Sequence, residues 1–199
     1  MKISVSPSVL LMGGIILLSG NVKNAVIPIS AAIIHELGHM LFAVLYSIRI
    51  ERLELNLFGA LIKIPPLSCS YKREALLAAA GPLANIITAI ISALFIFQVR
   101  EGLRKAILYF VISSLLFALI NLLPAKDFDG GRIISCSLLT KFSPNTVYSI
   151  LEWTSLLCVF FLWSISVYFI LRTGSYLSLF VFSGALFARI FTFEARTRD

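Results

Sequence analysis

The chain has 199 residues and a mass of 22.0 kDa; 59% of its residues are hydrophobic and only 14% are charged, with a mean hydropathy of +0.95. Soluble domains run at about 45–50% apolar and about 25% charged residues, so a water-soluble globule and a disordered chain are both excluded. The net charge of +7 fits basic loops facing anionic lipid, and no basic stripe interleaved with aromatics points to nucleic acid.

The composition predicts an all-α polytopic bundle in a bilayer, and a spanning helix needs roughly 20 mostly apolar residues. The first candidate is 3–22, an uncharged run that competes with a signal-peptide reading; its length and the lack of a clear small-residue cleavage site favour a retained helix. The second, 25–48, is apolar except for His35, Glu36 and His39. Between it and the third lies the longest connection, where Leu53-Glu54-Leu55-Asn56-Leu57 alternates and Gly59 precedes a second apolar stretch. That pattern reads either as a short β-hairpin at the inner membrane face or as an ordinary interfacial loop. The third and fourth spans, 75–99 and 106–124, carry no charge in their apolar centres. Gly81-Pro82 in the third eases close packing or kinks the helix, and Asn85 is either interhelical glue or part of an active-site wall. The fifth and sixth, 153–171 and 173–188, are a tight pair or one broken segment, so six spans are expected and five are possible. Cys69, Cys136 and Cys158 lack CxxC spacing and read as reduced thiols, with Cys158 a small packing residue. With the N-terminus inside, most Lys and Arg fall on inner segments, which places both termini in the cytoplasm. The whole of 1–199 is taken as one transmembrane domain, with its core at 25–132 and no room for a PDZ or CBS domain.

His35-Glu36-Leu37-Gly38-His39 is an HExxH pattern, and its two histidines are the only ones in the chain. Positions i and i+4 share one helix face, about 6 Å apart along the axis. Two imidazoles so placed can hold one zinc ion, with Glu36 in reach of a water as general base. A chance match is expected on the order of once in a few hundred chains of this length. Here the motif lies mid-span, where a charged residue costs a few kcal/mol by insertion scales, and an intramembrane ionisable cluster is functional by default.

Zinc needs a third protein ligand and an open position for water. No histidine remains, and Asp127 and Asp129 follow the fourth span within Asn121-Leu122-Leu123-Pro124-Ala125-Lys126-Asp127-Phe128-Asp129-Gly130-Gly131-Arg132. Pro124 would end the helix and Gly130-Gly131 would turn the backbone back toward the bundle. Standing alone, Asp-Gly-Gly would read as a solvent turn.

HELGH in a membrane helix, Gly81-Pro82-Leu83-Ala84-Asn85 in the next span and N-x-x-P with D-G-G after the fourth together resemble the site-2 proteases, peptidase family M50. These are intramembrane zinc metalloproteases, and the resemblance covers residue 25 to about 132. In outline the chain is most similar to the stage IV sporulation protein FB group, in a minimal form. The resemblance implies His35, His39 and Asp129 as zinc ligands, Glu36 as catalytic base, and Asn121 as a group that orients substrate or stabilises the oxyanion. A proline often stands where this chain has Asp127, which keeps Asp127 in view as a second candidate for the metal. Asn85, Leu55, Leu57 and Gly59 are expected to touch substrate, the last three by pairing an extended segment with the hairpin.

The expected partners are a membrane-associated protein substrate, the lipid bilayer and a regulatory membrane protein, with no nucleic acid. The expected location is the cell membrane, with the active site entered from the cytoplasm. Two rivals keep the same residues: a zinc-binding pseudoprotease that holds membrane segments without cutting them, and a metal-ion transporter. Retention of Glu36 argues against the first. Confinement of the cluster to one helix and one turn, without an internal repeat, argues against the second.

Overall fold

The computed structural model describes residues 2–5, 22–48, 52–56, 59–63, 70–126, 128–173 and 184. The chain forms two compact units, Met1–Leu122 and Leu123–Asp199.

The first unit holds strand β1 (Lys2–Val5), helix α1 (Val22–Leu45), strands β2 (Arg52–Asn56) and β3 (Gly59–Lys63), and helices α2 (Tyr71–Leu94) and α3 (Glu101–Asn121). The three helices touch one another pairwise. Their faces are sorted the reverse of a soluble protein. On α1 the buried positions are Ala31, His35, His39 and Ala43, four residues apart and hence one stripe, while Val26, Ile29, Ile33, Leu37, Leu41 and Val44 are exposed. On α2 the buried set is Leu77, Ala78, Gly81, Pro82, Asn85 and Ala89, and on α3 it is Ser114, Ala118 and Asn121. Small and polar groups line the inside and large aliphatic groups face out. Lipid tails are as apolar as leucine, so membrane helices gain by close backbone approach and interhelical hydrogen bonds instead of by burying leucine.

Gly38 shows how close that approach is. An ideal Cβ built on it would lie 2.6 Å from the Ala80 carbonyl oxygen and 2.6 Å from the Ala84 Cβ. Only glycine lets α1 and α2 meet there.

Helix α1 stops at a Schellman motif. The Ile48 N–H donates to the Ala43 carbonyl at 2.8 Å and the Ser47 N–H to the Val44 carbonyl at 3.1 Å. Ser47 adopts φ 52°, a left-handed conformation that glycine takes more readily. Ile48 folds back into a buried cluster with Ala43 and Leu77, which is the apolar contact that accompanies this cap. Helix α2 starts at Ser70, whose Oγ accepts the Arg73 N–H at 3.5 Å, and Glu74 in its first turn suits the positive end of the helix dipole.

The strands form one sheet in the order β1-β2-β3. β2 and β3 are antiparallel with Leu55 opposite Ala60 and Asn56 opposite Gly59. β1 lies parallel to β2 with Val5 opposite Leu55. β2 is therefore the central strand, and β1 and β3 are the edges.

The second unit holds helices α4 (Asp129–Leu138) and α5 (Pro144–Thr173). On α5, Val147, Leu151, Ser155 and Val159 form a buried stripe. The Lys126 N–H donates to Ser155 Oγ at 2.8 Å, tying the segment before α4 to α5. Cys136 and Cys158 are thiols, buried and half-buried.

Several expectations are corrected. Among the described residues four helices, α1, α2, α3 and α5, are long and apolar enough to cross a membrane, and six spans are not found. Of the expected helix 3–22, residues up to Val5 form a strand; Ile3 and Val5 flank Ser4 in the alternation of a strand, and apolar content alone does not separate the two states. Val22 begins α1 and the rest of that run lies outside the described residues, as does the expected 173–188 span apart from its first residue and Gly184. The expected fifth span begins at Pro144 instead of 153, because proline suits the first helical position and Ser143 Oγ accepts the Thr146 N–H at 3.4 Å. Asp129-Gly130-Gly131 is the first turn of α4, not a turn leading back; Asp129 there complements the helix dipole.

Candidate metal centre

The site is built in the first unit where α1, α2 and α3 meet. His35 and His39 are 2% and 5% exposed. Their Nε2 atoms lie 3.2 Å apart, with ring centroids 4.8 Å apart in an edge-to-face arrangement.

α2 holds each ring from behind. The His39 Nδ1–H donates to the Leu77 carbonyl at 2.8 Å. A carbonyl oxygen can accept twice, so the Leu77 oxygen can take this bond beside its helical one. That bond fixes the His39 proton on Nδ1 and leaves the Nε2 lone pair facing His35. Asn85, fully buried, has its Nδ2 3.4 Å from His35 Nδ1. Between these two supports stands Gly81. A Cβ there would overlap His39 Nε2 and Cε1 and come within 2.8 Å of His35 Nε2. On α3, Phe117 packs edge-to-face on His35 with centroids 5.2 Å apart.

Glu36 is half-buried, with its Oε2 in the interior. One helix thus supplies two imidazole nitrogens and a carboxylate, all inside an apolar stretch. Asn121 is buried one helical turn beyond Phe117 on α3, and its Nδ2–H donates to the Phe117 carbonyl at 2.9 Å. One of its two amide hydrogens is therefore committed to its own helix. Asp129 is half-buried at the start of α4. The preceding turn is set by the Phe128 N–H bonding the Ala125 carbonyl at 2.9 Å, and a Cβ on Gly131 would overlap that same carbonyl. Leu55 sits in central β2, with neighbours on both sides, and Gly59 in edge strand β3. Asp127 and Leu57 lie outside the described residues.

Gly38, the Leu77 carbonyl and Phe117 were not among the expected site residues. Gly38 had a signal, a small residue within HExxH. A backbone carbonyl and one phenylalanine among 16 had none.

A histidine pair on the buried stripe of an apolar helix, with a half-buried carboxylate next to it in sequence, defines a membrane-embedded class of protein with a candidate metal centre. Residues 23–109 match the family model Peptidase family M50. The chain is 31% identical over 139 residues to Stage IV sporulation protein FB of Bacillus subtilis (strain 168), a match that spans 67% of this chain and 46% of that protein. It is 29% identical over 117 residues to a zinc metalloprotease of Methanocaldococcus jannaschii, spanning 56% of this chain and 33% of that one. The chain thus spans less than half the length of these curated relatives. Its fold is similar to the solved Site-2 Protease from Methanocaldococcus jannaschii, with a TM-score of 0.69 at 18% identity, covering 96% of this chain and 91% of that one. Over residues 23–109 the chain is thus similar to peptidase family M50, and its fold is similar to that of a site-2 protease.

Proposed function

We propose that this chain is an intramembrane zinc metalloendopeptidase that hydrolyses a peptide bond in or near a transmembrane segment of a membrane-associated protein. The observation that carries this reading is the pair of buried imidazole Nε2 atoms 3.2 Å apart beside Gly81, whose missing side chain keeps their meeting point clear. The donor set fits zinc. Two neutral imidazoles with Nδ1 partnered behind them are typical of zinc histidines, and a carboxylate completes a three-ligand site with an open position. His35, His39 and Asp129 would hold the ion, Asp129 on the pattern of the family and in preference to Asp127.

Zinc, when bound, supplies the Lewis acidity that makes water a nucleophile near neutral pH and polarises the peptide carbonyl. Glu36 takes the proton from the attacking water and returns it to the leaving amine, the role that its place in the HExxH pattern implies. Asn121 donates its second amide hydrogen to the oxygen that gains charge. Leu77 and Asn85 keep the imidazoles from turning.

A helical substrate must unwind before its carbonyl can be reached, because its backbone groups are otherwise paired. The extended stretch pairs with an edge of the sheet. β3, which carries Gly59, offers such an edge, whereas β2 with Leu55 is flanked on both sides. Entry of substrate and water from the cytoplasmic face accords with the Lys and Arg bias. The substrate and any regulator are membrane proteins on this reading.

The test needs full-length protein purified in detergent. Wild type should carry about one zinc per chain and cleave a transmembrane peptide library. Glu36→Gln should keep the zinc and lose cleavage by at least about 100-fold. Well-folded wild type that takes up no zinc, or cleavage that survives in Glu36→Gln, sinks the proposal. Zinc flux into vesicles without cleavage would favour a transporter.

A further inference from the structure

We infer that Asn85 is the positioning residue for His35, a two-way hydrogen-bond partner that lets this imidazole change tautomer when a cation arrives. The inference rests on the zinc reading above and extends it to a residue outside the ligand set.

The proton positions follow from the contacts. His39 gives its Nδ1–H to the Leu77 carbonyl, so its Nε2 can only accept. When no cation lies between them, His35 Nε2 at 3.2 Å is then the end that carries the hydrogen, because two bare lone pairs repel at that distance. A neutral imidazole protonated on Nε2 has a bare Nδ1, and Asn85 Nδ2 stands 3.4 Å from it, able to donate. All three groups are buried, so water does not take over these bonds.

A cation bound at both Nε2 atoms reverses this. The His35 proton must move to Nδ1, which turns from acceptor to donor. A partner that only donates would then oppose the ligand. Asn85 avoids the conflict because its other end is an acceptor, and Oδ1 is buried with no hydrogen-bond partner among the described residues. The two ends of an amide are nearly equal in size, so a half-turn about χ2 presents Oδ1 to Nδ1–H with little else moving. Serine is small, leucine is inert and lysine only donates, whereas asparagine suits both states.

The experiment uses the full-length protein in detergent with zinc alone as probe. Zinc affinity is measured by chelator competition for wild type, Asn85→Leu and Asn85→Asp. Asn85→Leu should bind about 10- to 100-fold more weakly, the usual loss when such a partner is removed. Asn85→Asp, which can accept but not donate, should bind within about threefold of wild type or tighter. The chain has two histidines, so nitrogen-15 NMR of histidine-labelled protein resolves each ring. Metal-free wild type should show His35 protonated on Nε2, and zinc should move the proton to Nδ1. Equal affinity in wild type and Asn85→Leu overturns the inference. So does weak binding in a folded Asn85→Asp, or His35 found on Nδ1 before metal is added. If wild type itself binds no zinc, the proposed function fails first, and this inference falls with it.

Discussion

Gly81→Ala is the sharpest perturbation of the site. An ideal Cβ at this position overlaps His39 Nε2 and Cε1 and lies 2.8 Å from His35 Nε2. Ordinary carbon contacts are optimal at about 3.5–4.0 Å, so either the helices part or both rings swing away. Swinging His39 sacrifices its bond to Leu77, worth about 1 kcal/mol, and overpacking a tight interior typically costs about 1–3 kcal/mol. Without metal the rings can give way at the expense of the hydrogen bonds that hold them, and part of that strain relaxes. With metal both Nε2 atoms must return to the crowded point, so the strain falls on the bound state. Converted at tenfold per 1.4 kcal/mol, it weakens zinc binding by about 5- to 150-fold. The assay is chelator competition with detergent-purified protein, with thermal unfolding of the metal-free samples in parallel. Gly102→Ala is the control, since nothing lies within 4 Å of a Cβ there. Zinc affinity of Gly81→Ala within twofold of wild type would refute the reasoning, because it would mean the space beside Gly81 is not where the ion sits.

Gly38→Ala should act differently: its Cβ meets the backbone of Ala80 and the Cβ of Ala84, so it should destabilise the metal-free fold by about 1–3 kcal/mol, read as a lowered unfolding midpoint. Ser47→Gly should raise that midpoint, by about 1 kcal/mol, by relieving the left-handed conformation at the end of α1; a lowered midpoint would discredit the cap assignment. Asp129→Ala should lose zinc while Asp127→Ala keeps it, and metal analysis giving the reverse pattern would exchange the two aspartates in the ligand set. If substrate adds to β3, proline scanned through Ala60 and Leu61 should lower cleavage at the position whose N–H faces outward, with zinc content intact; unchanged cleavage in both variants would remove the strand from the mechanism.

What the sequence made legible follows from the range of the interactions involved. HExxH needs only one helix to bring its side chains together, so His35, Glu36 and His39 could be placed before any fold was known. The spanning helices follow from local apolarity, and α1, α2 and α3 lie within a few residues of their expected positions. The starts drifted because they are set by caps and not by apolar content: Ser70 opens α2 well before the apolar run, and Ser143-Pro144 opens α5 among polar residues. β1 was read as helix because its partner, β2, is about 50 residues away, and a run of Ile and Val carries no mark of that pairing. Gly81 was legible as a site of close approach, but not what approaches it. Whether a glycine faces a backbone, as Gly38 does, or an imidazole pair depends on the register of α1 against α2, which neither helix encodes alone. Asn85 stayed between packing and function for the same reason.

The two histidines differ in who stands behind them. His39 leans on the carbonyl of Leu77, a group every amino acid brings to that position, so no ordinary replacement at residue 77 can delete the bond. His35 leans on the side chain of Asn85, which a single codon change can remove. Sequence drift in this part of the chain therefore reaches the centre unevenly. One ring is anchored to the invariant part of the polymer and the other to its variable part. Any tuning of metal affinity through these supports must enter by way of the His35 half.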